Sequence, residues 1–203
     1  MSDAGRVALT FDAEHPDRPG CRSGNADRIL DALAAAEVRA TFFVQGRWAE
    51  AYPATASRIA RDGHLIAHHS HYHARMPLLT NEGLAADIHA AAAAILAATG
   101  MDPRPWFRMP FGAGRYDPRV LGVLDELGYT NVHWDVDVED WEPWRTRAAI
   151  SADAVTAIAD RVDTVLLLHT WPDGTTEATA DIVRSIAEGG RRFVTVDELE
   201  VGS

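Results

Sequence analysis

The sequence predicts an α/β fold, a distorted seven-stranded (β/α) barrel formed by one domain over residues 1–203. Two observations predict it. Short apolar runs of β type alternate with helical patterns along the whole chain, and such alternation means parallel strands joined by right-handed crossovers. A length of 203 residues suits one domain with a sizeable core. The chain is short for eight β/α units, so seven strands fit it. An open doubly wound sheet is the other arrangement that the same alternation allows. No linker, repeat or second domain breaks the pattern.

The first strand is Val7 to Phe11, followed by a polar loop from Glu14 to Gly24 and a helix near Asn25 to Ala36. Ala40 to Val44 is the second strand. A helix from Trp48 to Arg61 follows, closed by Gly63 as a C-terminal glycine closes helices. His64 to Ala67 is the third strand. Thr80 caps a long alanine-rich helix that stops at Gly100. Trp106 to Arg108 is the fourth strand. Asp117 and Pro118 are a cap and a first-turn proline, and their helix closes at Gly128. Asn131 to Val136 is the fifth strand, and Ser151 caps the next helix. The sixth is Val165 to Leu168, an apolar run of the buried kind. A helix near Glu177 to Glu188 leads to the last strand, Phe193 to Val196.

Composition excludes several functions. A net charge of −11 disfavours nucleic acid and anionic membrane surfaces and suits a neutral or basic substrate. No apolar stretch is long enough to span a bilayer, and no signal peptide opens the chain. The expected compartment is the cytoplasm, unless the chain is the trimmed form of an exported protein. There is no lysine, which removes Schiff-base and P-loop chemistry. Cys21 is the single cysteine, so no internal disulfide or multi-cysteine zinc site forms. Its loop setting makes it a poor nucleophile.

In α/β folds the working residues stand just past the C-terminal ends of strands. Here those positions hold Asp12, a cluster around His69, Arg108, Asp137 with Asp140, and His169. Singly, each has a structural explanation as a cap, an ion pair or a core histidine. Together they are acids, a guanidinium and imidazoles facing one end. Five of the nine histidines lie between His64 and His73, and imidazole is the commonest neutral metal ligand. His69 and His73 are four apart, a spacing that brings two side chains to one face of a helical turn. His64 and His68 share that spacing, but on a strand they stand apart. A divalent ion held by two histidines often takes a carboxylate as well. Asp12 and Glu14 offer two on one strand face, one to hold the metal and one to accept a proton from water.

This pattern resembles the polysaccharide deacetylases of carbohydrate esterase family 4 over nearly the whole chain. Five motifs occur in the family's order: Thr10-Phe11-Asp12; His69-Ser70-x-x-His73; Arg108-Met109-Pro110-Phe111-Gly112; Trp134-x-x-Asp137-x-x-Asp140-Trp141; and Leu167-Leu168-His169. The resemblance implies a metal-dependent deacetylase acting on an acetylated carbohydrate. Asp12 is then the general base, oriented by Arg108, and His169 the general acid, oriented by Asp137 or Asp140. His69 and His73 are metal ligands. Phe111, Trp141 and Leu167 line the substrate groove, and Trp171 offers a further face for a sugar. The implied cofactor is a divalent metal, zinc first, with cobalt, nickel or manganese as alternatives.

Two positions depart from the family pattern. Ala13 stands where the family has a second, metal-binding Asp, and Thr170 where an Asp often follows the histidine. Glu14 is the expected replacement ligand, ahead of His15. Ala13 keeps a second expectation open: a silent carbohydrate-binding homologue with a degenerate metal site. A hydrolase of small or cyclic amides is the third, since fold does not fix substrate.

Overall fold

In the computed structural model, which describes residues 5–16, 18, 22 and 24–199, the strand β1 (Arg6–Ala13) runs through the middle of a parallel sheet. On one side it pairs with β7 (Asp163–His169) along its length, Arg6 against Asp163 and Asp12 against His169. On the other side its start meets β8 (Arg192–Val194) and its end meets β2 (Thr41–Val44). The sheet continues from β2 to β3 (Leu65–His68), β4 (Trp106–Phe107) and β5 (Thr130–Asn131). From β7 it continues to β6 (Val136–Asp137). The result is a distorted (β/α) barrel. Around it lie α1 (Asn25–Ala35), α2 (Gly46–Ala51), α3 (Pro53–Arg61), α4 (Asn81–Thr99), α5 (Pro118–Glu126), α6 (Arg147–Ile158) and α7 (Asp173–Glu188).

Strand alternation sorts side chains between two layers. Val7, Leu9, Phe11 and Ala13 pack outward into the main core with Ile29 and Leu33 of α1 and Ile182 and Ile186 of α7. Phe42, Leu166 and Leu168 join them from the neighbouring strands. The intervening residues of β1 and β7 face inward, among them Ala8 and Val165, which pack with Phe43. Asp12 and His169 continue that inward register. Ala13 is therefore an outward core residue, and Glu14 shares the parity of Asp12.

Several predicted boundaries move. The helix expected over Trp48 to Arg61 is two helices, because Pro53 begins α3 and breaks the run. The expected fifth strand is divided into β5 and β6. One piece of chain serves both sheet edges: the Val132 N–H donates to the Phe107 carbonyl at 2.7 Å, and the Asp135 N–H donates to Val165 at 2.9 Å. That crossing is the distortion in the barrel. Ser151 lies inside α6; Thr146 caps this helix by accepting from the Ala149 N–H. The last long helix begins at Asp173, four residues before Glu177. Thr80 and Asp117 cap α4 and α5 as expected. Gly100 closes α4 with φ 74°, a conformation suited to glycine. Cys21 lies outside the described residues. No helix among the described residues is long and apolar enough to cross a membrane.

Candidate active site

The parallel register brings Asp12 and His169 side by side at the C-terminal end of the barrel. Asp12 is 3% exposed, and its Oδ1 accepts a hydrogen bond from the Arg108 guanidinium at 2.8 Å. Arg108 is wholly buried. The same NH1 group donates to Thr10 Oγ1 at 2.8 Å, and Nε donates to the Val132 carbonyl at 3.3 Å. The guanidinium lies 3.9 Å from the Phe43 ring centroid. Arg108 thus meets Asp12 through one nitrogen, and the two-pronged fork expected of an Arg–carboxylate pair is shared out among three partners. Burial pulls the guanidinium's pKa down, against the pull of Asp12.

Glu14, His69 and His73 converge beside this pair. Their ligand atoms all lie within 4.8 Å of one another, and all three residues are buried. Glu14 Oε2 is 3.1 Å from His69 Nε2 and 2.5 Å from His73 Nε2. Burial alone would raise the Glu14 carboxyl. Hydrogen bonds from His15, His69 and His73 outweigh it and hold the carboxyl well below the usual carboxylate range. For His69, burial is overcome by the charge of Asp12 and the bond to Glu14, which lift its pKa; for His73 burial wins and lowers it. Two imidazoles and one carboxylate are a donor set that suits a divalent ion such as Zn²⁺.

The two histidines do not share a helical turn. They sit on a bent loop after β3, with Ser70 and His73 in the left-handed region at φ 61° and 56°. Ser70 Oγ accepts from the His73 N–H at 2.8 Å, and His69 Nδ1 is fixed by the Arg108 carbonyl at 2.9 Å. His15 and Phe111 are also left-handed, at φ 55° and 59°. Each such residue costs on the order of 1–3 kcal/mol, and strain of this kind gathers at functional sites. His64 and His68 stay outside the cluster. His64 Nδ1 accepts from the Ala40 N–H, while His68 contacts the Ile88 carbonyl and is pushed down to about 3 by burial.

On the far side, His169 Nδ1 is 2.7 Å from Asp140 Oδ1. Asp140 Oδ2 accepts from the His169 backbone N–H at 2.8 Å and from Thr175 Oγ1. Burial opposes charge on this imidazole, but Asp140 prevails and raises it to about 10. Asp137 does not contact the ring. Its exposed carboxylate accepts from the Glu139 N–H at 2.8 Å, and partial desolvation raises its carboxyl. Of the two acids left open by the motif, Asp140 is the one on His169.

A cavity of about 310 Å³ joins these groups, lined by Asp12, Glu14, His69, His73, Asp137 and His169. Phe111, Trp134, Trp141 and Leu167 form its apolar walls. Trp171 is not on it. Its Nε1–H donates to Glu14 Oε1 at 3.2 Å, and the Arg18 guanidinium covers its ring at 3.7 Å. Trp171 instead lines a neighbouring cavity together with Trp141.

The family model for polysaccharide deacetylases matches residues 2–132. The chain belongs to the polysaccharide deacetylase family. It is 30% identical over 200 residues to a peptidoglycan-N-acetylglucosamine deacetylase of Bacillus cereus, spanning 95% of this chain and 67% of that protein. Among solved structures it is similar to a family 4 carbohydrate esterase from Streptomyces lividans in complex with acetate (32% identity, TM-score 0.79, 93% of this chain and 91% of that one). A family 4 pseudoenzyme from Bacillus anthracis shares the fold at 24% identity and TM-score 0.85, over 98% of this chain and 66% of that one.

Within this polysaccharide deacetylase fold, three supporting residues escape the sequence motifs. Asp87 of α4 accepts from the His71 and Tyr72 N–H groups at 2.9 and 3.1 Å and so fixes the histidine loop. It is a buried acid inside an alanine-rich helix whose other acid, Glu82, stands in the first turn. Thr175 steadies Asp140, and Gln45 Oε1 accepts from the His15 N–H at 3.0 Å. Neither has a local signature.

Proposed function

We infer that this chain is a metal-dependent hydrolase that removes an acetyl group from an N-acetylated or O-acetylated carbohydrate. One observation carries the reading: a carboxylate backed by a cation and an imidazole backed by a carboxylate open on the same cavity as the Glu14, His69 and His73 cluster. Glu14, His69 and His73 would hold the metal, with zinc as the first candidate and cobalt, nickel or manganese as alternatives. A divalent ion held there acidifies water and polarises a carbonyl.

The protein's own groups do the rest. Asp12, held in place by the Arg108 hydrogen bond, accepts a proton from the attacking water. The water oxygen bonds to the acetyl carbon, and the Phe111 backbone N–H is the donor offered to the developing oxyanion. His169, held charged by Asp140, gives its proton to the leaving nitrogen as the C–N bond breaks, and acetate and a free amine result. With an ester the proton goes to the leaving oxygen. Leu167 and Trp134 wall the acetyl end, and Phe111 and Trp141 flank the sugar.

Ala13 favours the alternative of a silent homologue. The placement of Glu14 against both histidines counts against it, because a carboxylate from the next position fills the missing role. Acetate release from N-acetylated chitin oligomers, acetylxylan and small amides tests the reading. Turnover of an acetylated carbohydrate is expected, lost on chelation and restored by Zn²⁺. Hydrolysis of small or cyclic amides alone would replace it with the amidase reading. Absence of any bound divalent metal from the purified protein would leave the silent homologue.

A further inference from the structure

Glu14 is a longer ligand than the Asp whose place it takes, and a free glutamate can swing or turn both oxygens to a metal. Here its second oxygen is occupied. Oε1 accepts from Trp171 Nε1–H at 3.2 Å and lies 3.0 Å from His15 Nε2, while Oε2 faces His69 and His73. Both clamping residues are themselves held. Asn25 Nδ2 donates to the Trp171 carbonyl at 2.7 Å. Arg18 covers the indole face. Gln45 anchors the left-handed backbone of His15.

We propose that Trp171 and His15 are positioning residues that clamp Glu14 Oε1, leaving Oε2 as a single aimed donor toward the histidine pair. The proposal rests on the reading of Glu14 as a metal ligand. It gives Trp171 a task other than sugar stacking. It also accounts for how a glutamate can serve at a site where the chain has lost an aspartate: the added rotatable bond is restrained by two N–H groups. Indole Nε1–H only donates and cannot ligate a metal. A change in metal affinity on removing it is therefore indirect, and the hydrogen bond to Glu14 is the polar route.

The test is Zn²⁺ affinity of the full chain, measured by competition with a chromophoric chelator, alongside the unfolding midpoint of the metal-free protein. Trp171→Phe keeps most of the ring and loses the N–H. It should weaken Zn²⁺ binding roughly 10-fold or more, the scale of losses from groups behind a ligand, with the metal-free midpoint unchanged. In a Glu14→Ala background the same change should have no further effect on affinity. His15→Asn, which tolerates a left-handed backbone, should weaken binding in the same range. If Trp171→Phe binds Zn²⁺ like the parent while Glu14→Ala loses it, the clamp is wrong and the deacetylase reading stands. An equal loss from Trp171→Phe with and without Glu14 also rejects the clamp. If Glu14→Ala itself binds like the parent, Glu14 is no ligand and the underlying reading falls. A loss in His15→Asn as deep as in His69→Ala would make His15 a ligand and end its positioning role.

Discussion

Two buried carboxylate–cation pairs flank the cavity, and they turn opposite ends toward it. In Asp12–Arg108 the carboxylate lines the cavity and the guanidinium is shut behind it. In His169–Asp140 the imidazole lines the cavity and the carboxylate is behind. A permanent cation behind a carboxylate orients that carboxylate to take a proton. A carboxylate behind an imidazole keeps the imidazole charged and able to give one. Similar charges in reversed order thus make a base and an acid on one cavity, which is the separation of roles that acid–base hydrolysis needs.

The largest expected effect comes from removing either group that faces the cavity. Asp12→Asn and His169→Ala should each lower kcat about 10²–10⁴-fold, measured as acetate release per folded molecule. Both should also lose stability. His169→Ala takes the imidazolium from the buried Asp140, which keeps the backbone N–H of residue 169 and Thr175 as partners. Asp12→Asn leaves the wholly buried Arg108 without its counter-charge, and breaking such a pair costs about 3–5 kcal/mol. A denaturant midpoint for Asp12→Asn equal to the parent's would show that Arg108 does not depend on this pair.

Next is Asp140→Asn, expected to cost on the order of 10–100-fold in kcat, less than losing the acid itself. His169 is raised from its ordinary value to about 10. The charged form is the working acid, so its deprotonation should lower the parent's activity on the alkaline side, and Asp140→Asn should move that fall to lower pH. Stability follows the same sign: a raised histidine pKa stabilises fully below the unfolded value near 6.5 and loses this as pH rises through about 10. The metal-free parent should therefore lose stability between these values more steeply than Asp140→Asn. Equal slopes would mean that Asp140 does not set the charge of His169. Arg108→Lys follows, at about 10-fold (~1.4 kcal/mol) in kcat. One N–H reaches Asp12, and lysine can supply that, but it abandons the Thr10 and Val132 contacts. Full activity in the lysine variant would leave the bare charge as all that the base requires.

The two pairs also differ in how far the sequence discloses them. Asp12, Glu14, Arg108 and His169 are legible because strand ends and period-two parity are local properties, and the motifs mark them. That Asp140 and not Asp137 supports the acid is not legible, since both stand in one short motif and the choice depends on where the loop after β6 turns. The same holds for the histidine loop. A spacing of four reads as a helical turn, whereas Ser70 and His73 reach the site through left-handed backbone that non-glycine residues rarely signal. The divided fifth strand is hidden because one apolar run can serve two edges of a sheet. The contact of Trp171 with Glu14 is beyond local reading, since the two are 157 residues apart in sequence.

The smallest expected effect concerns Asp137, and it separates motif membership from mechanism. Asp137 shares the motif with Asp140 and lines the cavity, but its carboxylate is exposed and bonded to the Glu139 N–H rather than to His169. Asp137→Asn preserves that bond, since an amide oxygen accepts as a carboxylate does. It removes one negative charge about the acid, which contributes little beside the 2.7 Å contact from Asp140. A change in kcat of no more than about 2- to 3-fold is expected, below ~0.7 kcal/mol, with the alkaline limb unmoved. A loss as large as that of Asp140→Asn would show that both carboxylates govern the imidazole, and the reversed order of charges across the cavity would no longer account for the acid.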